Sequence, residues 1–366
     1  MSKPKIKMGP IDFLLFSTVM ILVAIGVVMV FSASSYSAFY NNGDSMLYLK
    51  KQGISAVIGL VAMFFMIKLD YHKIKKYTNF IMLISIILLF AVFAFPSING
   101  AKRWIPLPGF SLQPSELAKY VVVLYMAKSI ESKGEKIKSF TYGILPYLLV
   151  SGFFAGLVLA EKNLSIATVI LCVTLIILFV AGARWIHFFE LLGTVVAFGV
   201  TFILIEPYRM DRLMNFRNPW AKPKTEGYQL IQSLLALGSG GIWGVGLGKS
   251  RQKCYYIPEP HTDFIFAVIG EELGLIGCTL IVILFLALIW RGVRTAIRAK
   301  DTYGTLLAIG ITSVIAIQAI INIAVVTGSM PVTGVPLPFI SNGGSSLLFN
   351  LMAMGILLNI SRQCNS

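Results

Sequence analysis

Apolar residues in this chain come as long unbroken runs, not at the alternating spacing of a half-buried strand. Ten runs stand out, at residues 13–31, 53–67, 80–95, 117–129, 144–160, 164–181, 186–205, 264–290, 305–326 and 345–360. Most approach the ~20 residues that a helix needs to cross a hydrocarbon core. A membrane β-barrel would alternate apolar and polar positions, and these runs do not. Spans buried in lipid must also satisfy their backbone hydrogen bonds internally. The pattern predicts an all-α integral membrane protein of about ten transmembrane helices. The run at 117–129 is the weakest, being short and opening beside Glu116 and Lys119. The first run is too long for a cleavable leader, its small-residue site is poor, and nine runs follow it.

Three segments between runs are irregular. The first, 97–115, reads SINGAKRWIPLPGFSLQPS. The second, 206–262, is a long loop with basic and aromatic residues and a glycine cluster. Long loops of this kind are usually functional. The third, 327–346, reads TGSMPVTGVPLPFISNGGSS. Its prolines and glycines forbid a regular span, yet it carries no charge, which suits a re-entrant segment. A single polytopic membrane domain over 1–366 is expected, with 206–262 as an exoplasmic loop within it.

Composition agrees. The chain is 57% hydrophobic and only 13% charged, against roughly 25% charged in soluble domains. A net charge of +15 would suit a nucleic-acid partner, but its distribution removes that reading. With the N-terminus cytoplasmic, the inner segments hold 17 Lys and Arg and the short outer loops five. The eight in the long loop count little in the positive-inside rule. Both termini are therefore expected inside, and all three irregular segments outside. The four cysteines, Cys172, Cys254, Cys278 and Cys364, make no disulfide framework.

Asp263 is the leading candidate for chemistry, in Pro258-Glu-Pro-His-Thr-Asp-Phe264 just before the eighth run. One reading is a helix cap; the other is a general base at the outer membrane surface. Glu271 and Glu272 follow inside the run, where carboxylates are costly and face a partner or a cavity. Glu271 falls near the Asp263 face, and Glu272 is expected in a buried salt bridge to Lys119 or an arginine. Glu116 and Lys119 share a helix face as an ion pair or as the wall of an outer cavity. Lys102, Arg103, Arg209, Arg212, Arg217, Lys249, Arg251 and Lys253 lie on outer segments. There they are either a solvated face or ligands for anionic headgroups or a diphosphate. Gly244-Val-Gly-Leu-Gly-Lys-Ser250 imitates a phosphate loop, but Trp243 stands where the pattern needs glycine. His72, His187 and His261 are too scattered for a metal site.

Taken together, Asn99-Gly-Ala-Lys-Arg-Trp-Ile105, Gln113-Pro-Ser-Glu116, Gly240-Gly-Ile-Trp-Gly-Val-Gly-Leu-Gly248, the block from Pro258 to Gly274, and Thr333-Gly-Val-Pro-Leu-Pro-Phe-Ile-Ser-Asn-Gly-Gly-Ser-Ser346 resemble the SEDS family (shape, elongation, division and sporulation). Asp12 and Phe31-Ser-Ala-Ser34 look more like its FtsW and SpoVE branch than RodA. The resemblance implies a peptidoglycan glycosyltransferase of the bacterial cytoplasmic membrane that polymerises lipid II on the outer face. It implies release of polyprenyl diphosphate and work beside a class B penicillin-binding protein and other divisome, elongasome or sporulation proteins. The family's essential aspartate maps onto Asp263, its Asn-Gly-Ala arginine onto Arg103, and its fourth-helix polar residues onto Glu116 and Lys119. Arg103 and Lys119 are the expected diphosphate partners, with Lys249, Arg251 and Lys102 behind them. Glu271, His261, Asn342 and Ser345 are expected to support the site. A divalent cation, Mg or Mn, could share the diphosphate, though no ligand cluster marks one. Two positions depart from the family. Asn342 stands where a tyrosine is usual, and Glu161-Lys-Asn-Leu-Ser165 replaces a Pro-Asp-Leu-Gly-like run. A lipid II flippase and a non-catalytic scaffold for a partner synthase remain the rival readings.

Overall fold

The computed structural model describes residues 9–97, 100–107, 110–184, 193, 197, 216, 218–225, 227–254 and 256–364. The described residues include ten α-helices: α1 (Phe13–Asn42), α2 (Leu47–Lys68), α3 (Tyr71–Ala91), α4 (Pro114–Lys133), α5 (Leu145–Ala160), α6 (Leu164–Val180), α7 (Tyr228–Gly240), α8 (Ile265–Arg298), α9 (Thr302–Val326) and α10 (Gly344–Cys364). Seven helical segments among them are long and apolar enough to cross a membrane. Within the expected span at 186–205 only residues 193 and 197 are described, and Arg209, Arg212 and Arg217 lie outside the described residues.

Local chemistry sets the helix ends. Asp12 accepts the Leu15 N–H at 3.1 Å to start α1, and Gly43, at φ 73°, ends it by donating to Phe39 O. Pro114 opens α4, where a missing N–H costs nothing. Although weakest in the sequence, α4 runs 20 residues through the interior, with most of its side chains buried. It packs against α3, α6 and α9, so its polar residues meet protein, not lipid.

Contacts between distant segments respect the two faces that charge assigned. At the inner end, Arg291 pairs with Asp12 at 2.6 Å, Gly9 N–H donates to Arg362 O at 3.0 Å, and Gln363 donates to Asp70 at 3.1 Å. At the outer end, Gln113 N–H donates to Ser345 Oγ at 3.0 Å, and Ser165 donates to the Thr333 carbonyl.

The outer segments are more ordered than expected. Within 97–115, Ile105–Leu107 and Phe110–Leu112 form an antiparallel hairpin with Ile105 opposite Leu112. This is a small exception to the all-α expectation. The long loop contains α7, which buries Leu230, Ile231, Ser233 and Ala236 and packs against α8.

Helix α8 is broken at Gly274, whose φ of 65° and ψ of −164° leave the helical region. The glycine cluster after α7 fills the gap. Val245 and Gly246 N–H donate to the Glu271 and Glu272 carbonyls at 2.9 and 3.0 Å. Leu275 and Ile276 N–H donate to the Gly241 and Ile242 carbonyls at 2.9 and 3.3 Å. The backbones approach so closely that a Cβ on Gly240 would stand 1.9 Å from Gly270 O, and one on Gly244 2.2 Å from Glu272 O. The glycines that imitate a phosphate loop therefore serve backbone packing.

The segment after α9 is re-entrant, as expected. Val335, Leu337, Phe339, Ile340 and Ser341 are buried. A Cβ on Gly26 of α1 would lie 2.4 Å from Phe339 O. Gly26 is 13 residues into α1, about 20 Å from its inner end at the helical rise. The turn thus reaches the middle of the bundle.

Candidate active site

Asp263 does not cap α8. The helix begins at Ile265, with Phe264 at the cap position and no side-chain cap bond. The half-buried Asp263 side chain instead stands beside the re-entrant segment. Its Oδ2 is 3.2 Å from the Cβ position of Gly334, which at φ 78° has a left-handed backbone. Four hydrogen bonds lace its loop to that segment. Asn322 Nδ2, from α9, donates to Asp263 O at 2.8 Å and Val335 O at 2.7 Å. Ser341 Oγ donates to Thr262 O at 2.7 Å, and Asn342 N–H donates to His261 O at 2.8 Å. The carboxylate is thereby held by backbone fixed on both sides.

The supporting residues act through this frame. His261 is buried, packs against Tyr48 with ring centroids 4.3 Å apart and planes tilted by 48°, and reaches Glu259 at 3.5 Å. Burial pushes its pKa down to about 4, so it stays neutral near pH 7. Asn342 contributes its backbone N–H, a bond that does not depend on which side chain stands there. Ser345 Oγ accepts from Gln113 N–H and donates to Ser111 O at 2.5 Å, fastening α10 to the hairpin.

Arg103 is half-buried over the α5–α6 turn. Its guanidinium donates to Glu161 O at 3.2 Å and also to Lys162 O. Lys162 has φ 61°, Glu259 φ 49° and Phe339 φ 65°. These are the positive-φ non-glycine residues among those described; Lys162 lies in the turn under Arg103 and Glu259 in the loop that carries Asp263. Such conformations cost roughly 1–3 kcal/mol and persist where surrounding structure enforces them.

Several expectations need correction. Lys119 pairs with Glu116 at 2.8 Å, with their side chains 0% and 1% exposed. The pair is sealed inside the bundle, so Lys119 is not presented to an outer ligand. Glu272 is in a buried salt bridge, but its partner is Lys253 at 2.8 Å, not Lys119 or an arginine. Ser32 of α1 completes that network by donating to Glu272 at 2.6 Å. Glu271 turns its carboxylate into the loop after the glycine cluster. It accepts from Ser250 Oγ and from the backbone N–H groups of Arg251 at 2.8 Å and Gln252 at 3.3 Å. These two carboxylates anchor the loop that displays Lys249 and Arg251, both exposed. Lys102 is exposed and donates to Phe93 O at 2.8 Å.

Sequence reasoning missed Asn322 and Glu161, and read Lys253 only as an outer-loop cation. Asn322 carried a signal, being an amide in an apolar span. Among the described residues, no group of three His, Cys, Asp or Glu is placed to hold a metal ion. An apolar groove of about 500 Å³ runs between α7, α8 and α9. Leu237, Ile242, Phe266, Leu275 and Ile323 line it.

Comparison with known proteins places this architecture. The family model FTSW_RODA_SPOVE, described as "Cell cycle protein", matches residues 12–366. Stage V sporulation protein E of Bacillus subtilis (strain 168) is 46% identical over 356 residues, covering 96% of this chain and 97% of that protein. A probable peptidoglycan glycosyltransferase FtsW of Geobacter sp. (strain M18) is 43% identical over 355 residues, covering 96% of each. A chain from a peptidoglycan synthase complex that coordinates polymerization and crosslinking superposes with TM-score 0.80 at 28% identity, covering 97% of this chain and 98% of that one. The crystal structure of the rod shape determining protein RodA of Thermus thermophilus superposes with TM-score 0.73 at 27% identity, covering 96% and 97%. With its fold and nearly its whole length matched, this multi-pass protein of the bacterial inner membrane belongs to the FtsW, RodA and SpoVE family.

Proposed function

We propose that the chain is a peptidoglycan glycosyltransferase that polymerises lipid II on the outer face of the membrane and releases polyprenyl diphosphate. It works as a single polytopic membrane domain. The observation that carries the reading is Asp263, half-buried on a frame tied down by Asn322, Ser341 and Asn342. A carboxylate so held can accept the proton of an acceptor sugar hydroxyl as that oxygen attacks the donor's anomeric carbon. The displaced group is a lipid diphosphate, which needs cationic stabilisation more than a general acid. Arg103 is the first candidate for that task, and the exposed Lys249 and Arg251 are further ones. Lys102 is placed to meet headgroups at the rim. The Glu116–Lys119 pair stays sealed within the bundle, charge-balanced. The apolar groove between α7, α8 and α9 suits a polyprenyl tail. The likeness to a chain of a peptidoglycan synthase complex supports a class B penicillin-binding protein as the transpeptidase partner. Other divisome, elongasome or sporulation proteins would join them according to the branch served.

The test is polymerisation of labelled lipid II by purified protein, with the partner present. Asp263→Asn should insert and fold but lose roughly 10²–10⁴-fold in rate. Wild-type-like ladders from that variant would refute the role. Lipid scrambling in proteoliposomes without polymer would favour a flippase. Neither activity with the partner present would favour a scaffold.

A further inference from the structure

The glycine turn after α7 exposes Ile242, Trp243, Val245 and Leu247, with Trp243 at 81%. So apolar a tip is out of place on a loop surrounded by water, and it marks a contact surface. Its height says what it contacts. Four hydrogen bonds fix the turn to the break in α8, level with residues 271–276. Trp290 marks the inner interface, because its neighbour Arg291 pairs with Asp12 at the start of α1. Gly274 lies 16 residues further along α8, about 24 Å at the helical rise. That is short of the ~30 Å thickness of a hydrocarbon core. We infer that residues 242–247 are an interfacial anchor set into the outer leaflet, with membrane phospholipid as their partner.

Backbone, charge and side-chain placement agree with that depth. Non-helical chain at membrane level must have its polar groups paired with protein. Here Gly244, Val245, Gly246 and Lys249 N–H donate to the Gly240, Glu271, Glu272 and Gly246 carbonyls at 2.7, 2.9, 3.0 and 3.1 Å. The Gly241 and Ile242 carbonyls accept from Leu275 and Ile276, and the Gly248 carbonyl accepts from Lys253 Nζ at 2.7 Å. The carboxylates at this level, Glu271 and Glu272, are buried under the same loop, which supplies Lys253 and N–H donors to them. Ionisable groups at such a depth need that cover. An indole is favoured at the edge of the core, where its amphipathic ring meets the headgroups. Lys249 is exposed, and its stem crosses the turn, with Cδ 3.4 Å from where a Cβ on Gly246 would stand. A cationic chain laid along apolar surface in this way keeps its charge at the headgroup level. Phospholipid thus accounts for both the apolar tip and the cation behind it.

The inference does not depend on the chemistry proposed above. It is tested by tryptophan fluorescence of the full-length protein in phosphatidylglycerol and phosphatidylcholine vesicles. Bromine on the acyl chains, close to the headgroup, quenches any indole it touches. Wild type should lose more signal to this lipid than Trp243→Phe, and the excess should shrink when the bromine is moved to the chain ends at the bilayer centre. Equal quenching of the two proteins overturns the inference. So does a larger loss of wild-type signal to aqueous iodide, which would put Trp243 in water. If Trp243→Phe does not fold, Leu247→Trp serves instead and must add signal that the shallow bromine quenches. A protein occupant is distinguished by reconstituting the class B penicillin-binding protein alongside. Persistence of the excess quenching supports phospholipid as the partner. Its disappearance on complex formation assigns the surface to that protein and overturns the inference.

Discussion

Asp263 Oδ2 lies 3.2 Å from where a Cβ on Gly334 would stand, and Gly334 is held at φ 78°. Two constraints meet at that glycine. Its backbone conformation costs a side chain roughly 1–2 kcal/mol, and any side chain would press on the carboxylate. Gly334→Ala should therefore leave insertion intact and lower lipid II polymerisation by about ten-fold, the factor that 1.4 kcal/mol represents. Gel ladders beside a thermal unfolding curve would show it. Undiminished ladders would mean that Asp263 does not need its present position.

Asn322 offers a second probe of the same frame, because one amide joins the Asp263 and Val335 carbonyls. Asn322→Leu removes this donor from both carbonyl oxygens, at about 1–3 kcal/mol for each buried group left unsatisfied. The expected result is a lower unfolding temperature together with slower polymerisation. A variant that lost stability alone would show that α9 does not position the carboxylate.

Much of this was readable in advance, and the exceptions share a cause. The runs marked the spans because lipid demands continuous apolar length, and the Pro/Gly-rich uncharged segment at 327–346 announced its own re-entry. Lys253 was different. A lysine in an outer loop reads as solvated, and its burial 2.8 Å from Glu272 depends on a loop that folds back into the bundle. Glu161 was masked likewise, since a carboxylate at a helix end reads as surface. Lys119 was misread because its sequence position shows the outer end of α4 but not the neighbours that seal it there.

The Lys253–Glu272 pair yields a stability prediction. Lys253→Met leaves Glu272 buried and uncompensated except for Ser32 and the Ser250 N–H. Breaking one side of a buried pair costs about 3–5 kcal/mol. The double variant Lys253→Met with Glu272→Leu should recover most of that loss in detergent unfolding. Failure of the double variant to recover would mean that the pair also holds the loop by means other than charge.

His261 gives a pH signature. Its pKa in the fold is about 4, below the ~6.5 of a free imidazole, so the unfolded chain binds the proton more readily. Stability should be at full value above about pH 6.5 and decline as pH falls towards 4. Replacing the ring with a group that stacks but does not titrate, His261→Phe, should flatten that decline. An unchanged acid limb in the variant would assign it elsewhere.

The break at Gly274 makes α8 two bodies in one sequence element. The carbonyls of Glu271 and Glu272 accept from the glycine turn, and the next two N–H groups donate back to it. Mechanically, the short outer piece next to Asp263 is bolted to the loop above it, while the long inner rod stands as a separate strut. A push arriving through the inner rod would thus be passed towards the Asp263 loop through that glycine clasp.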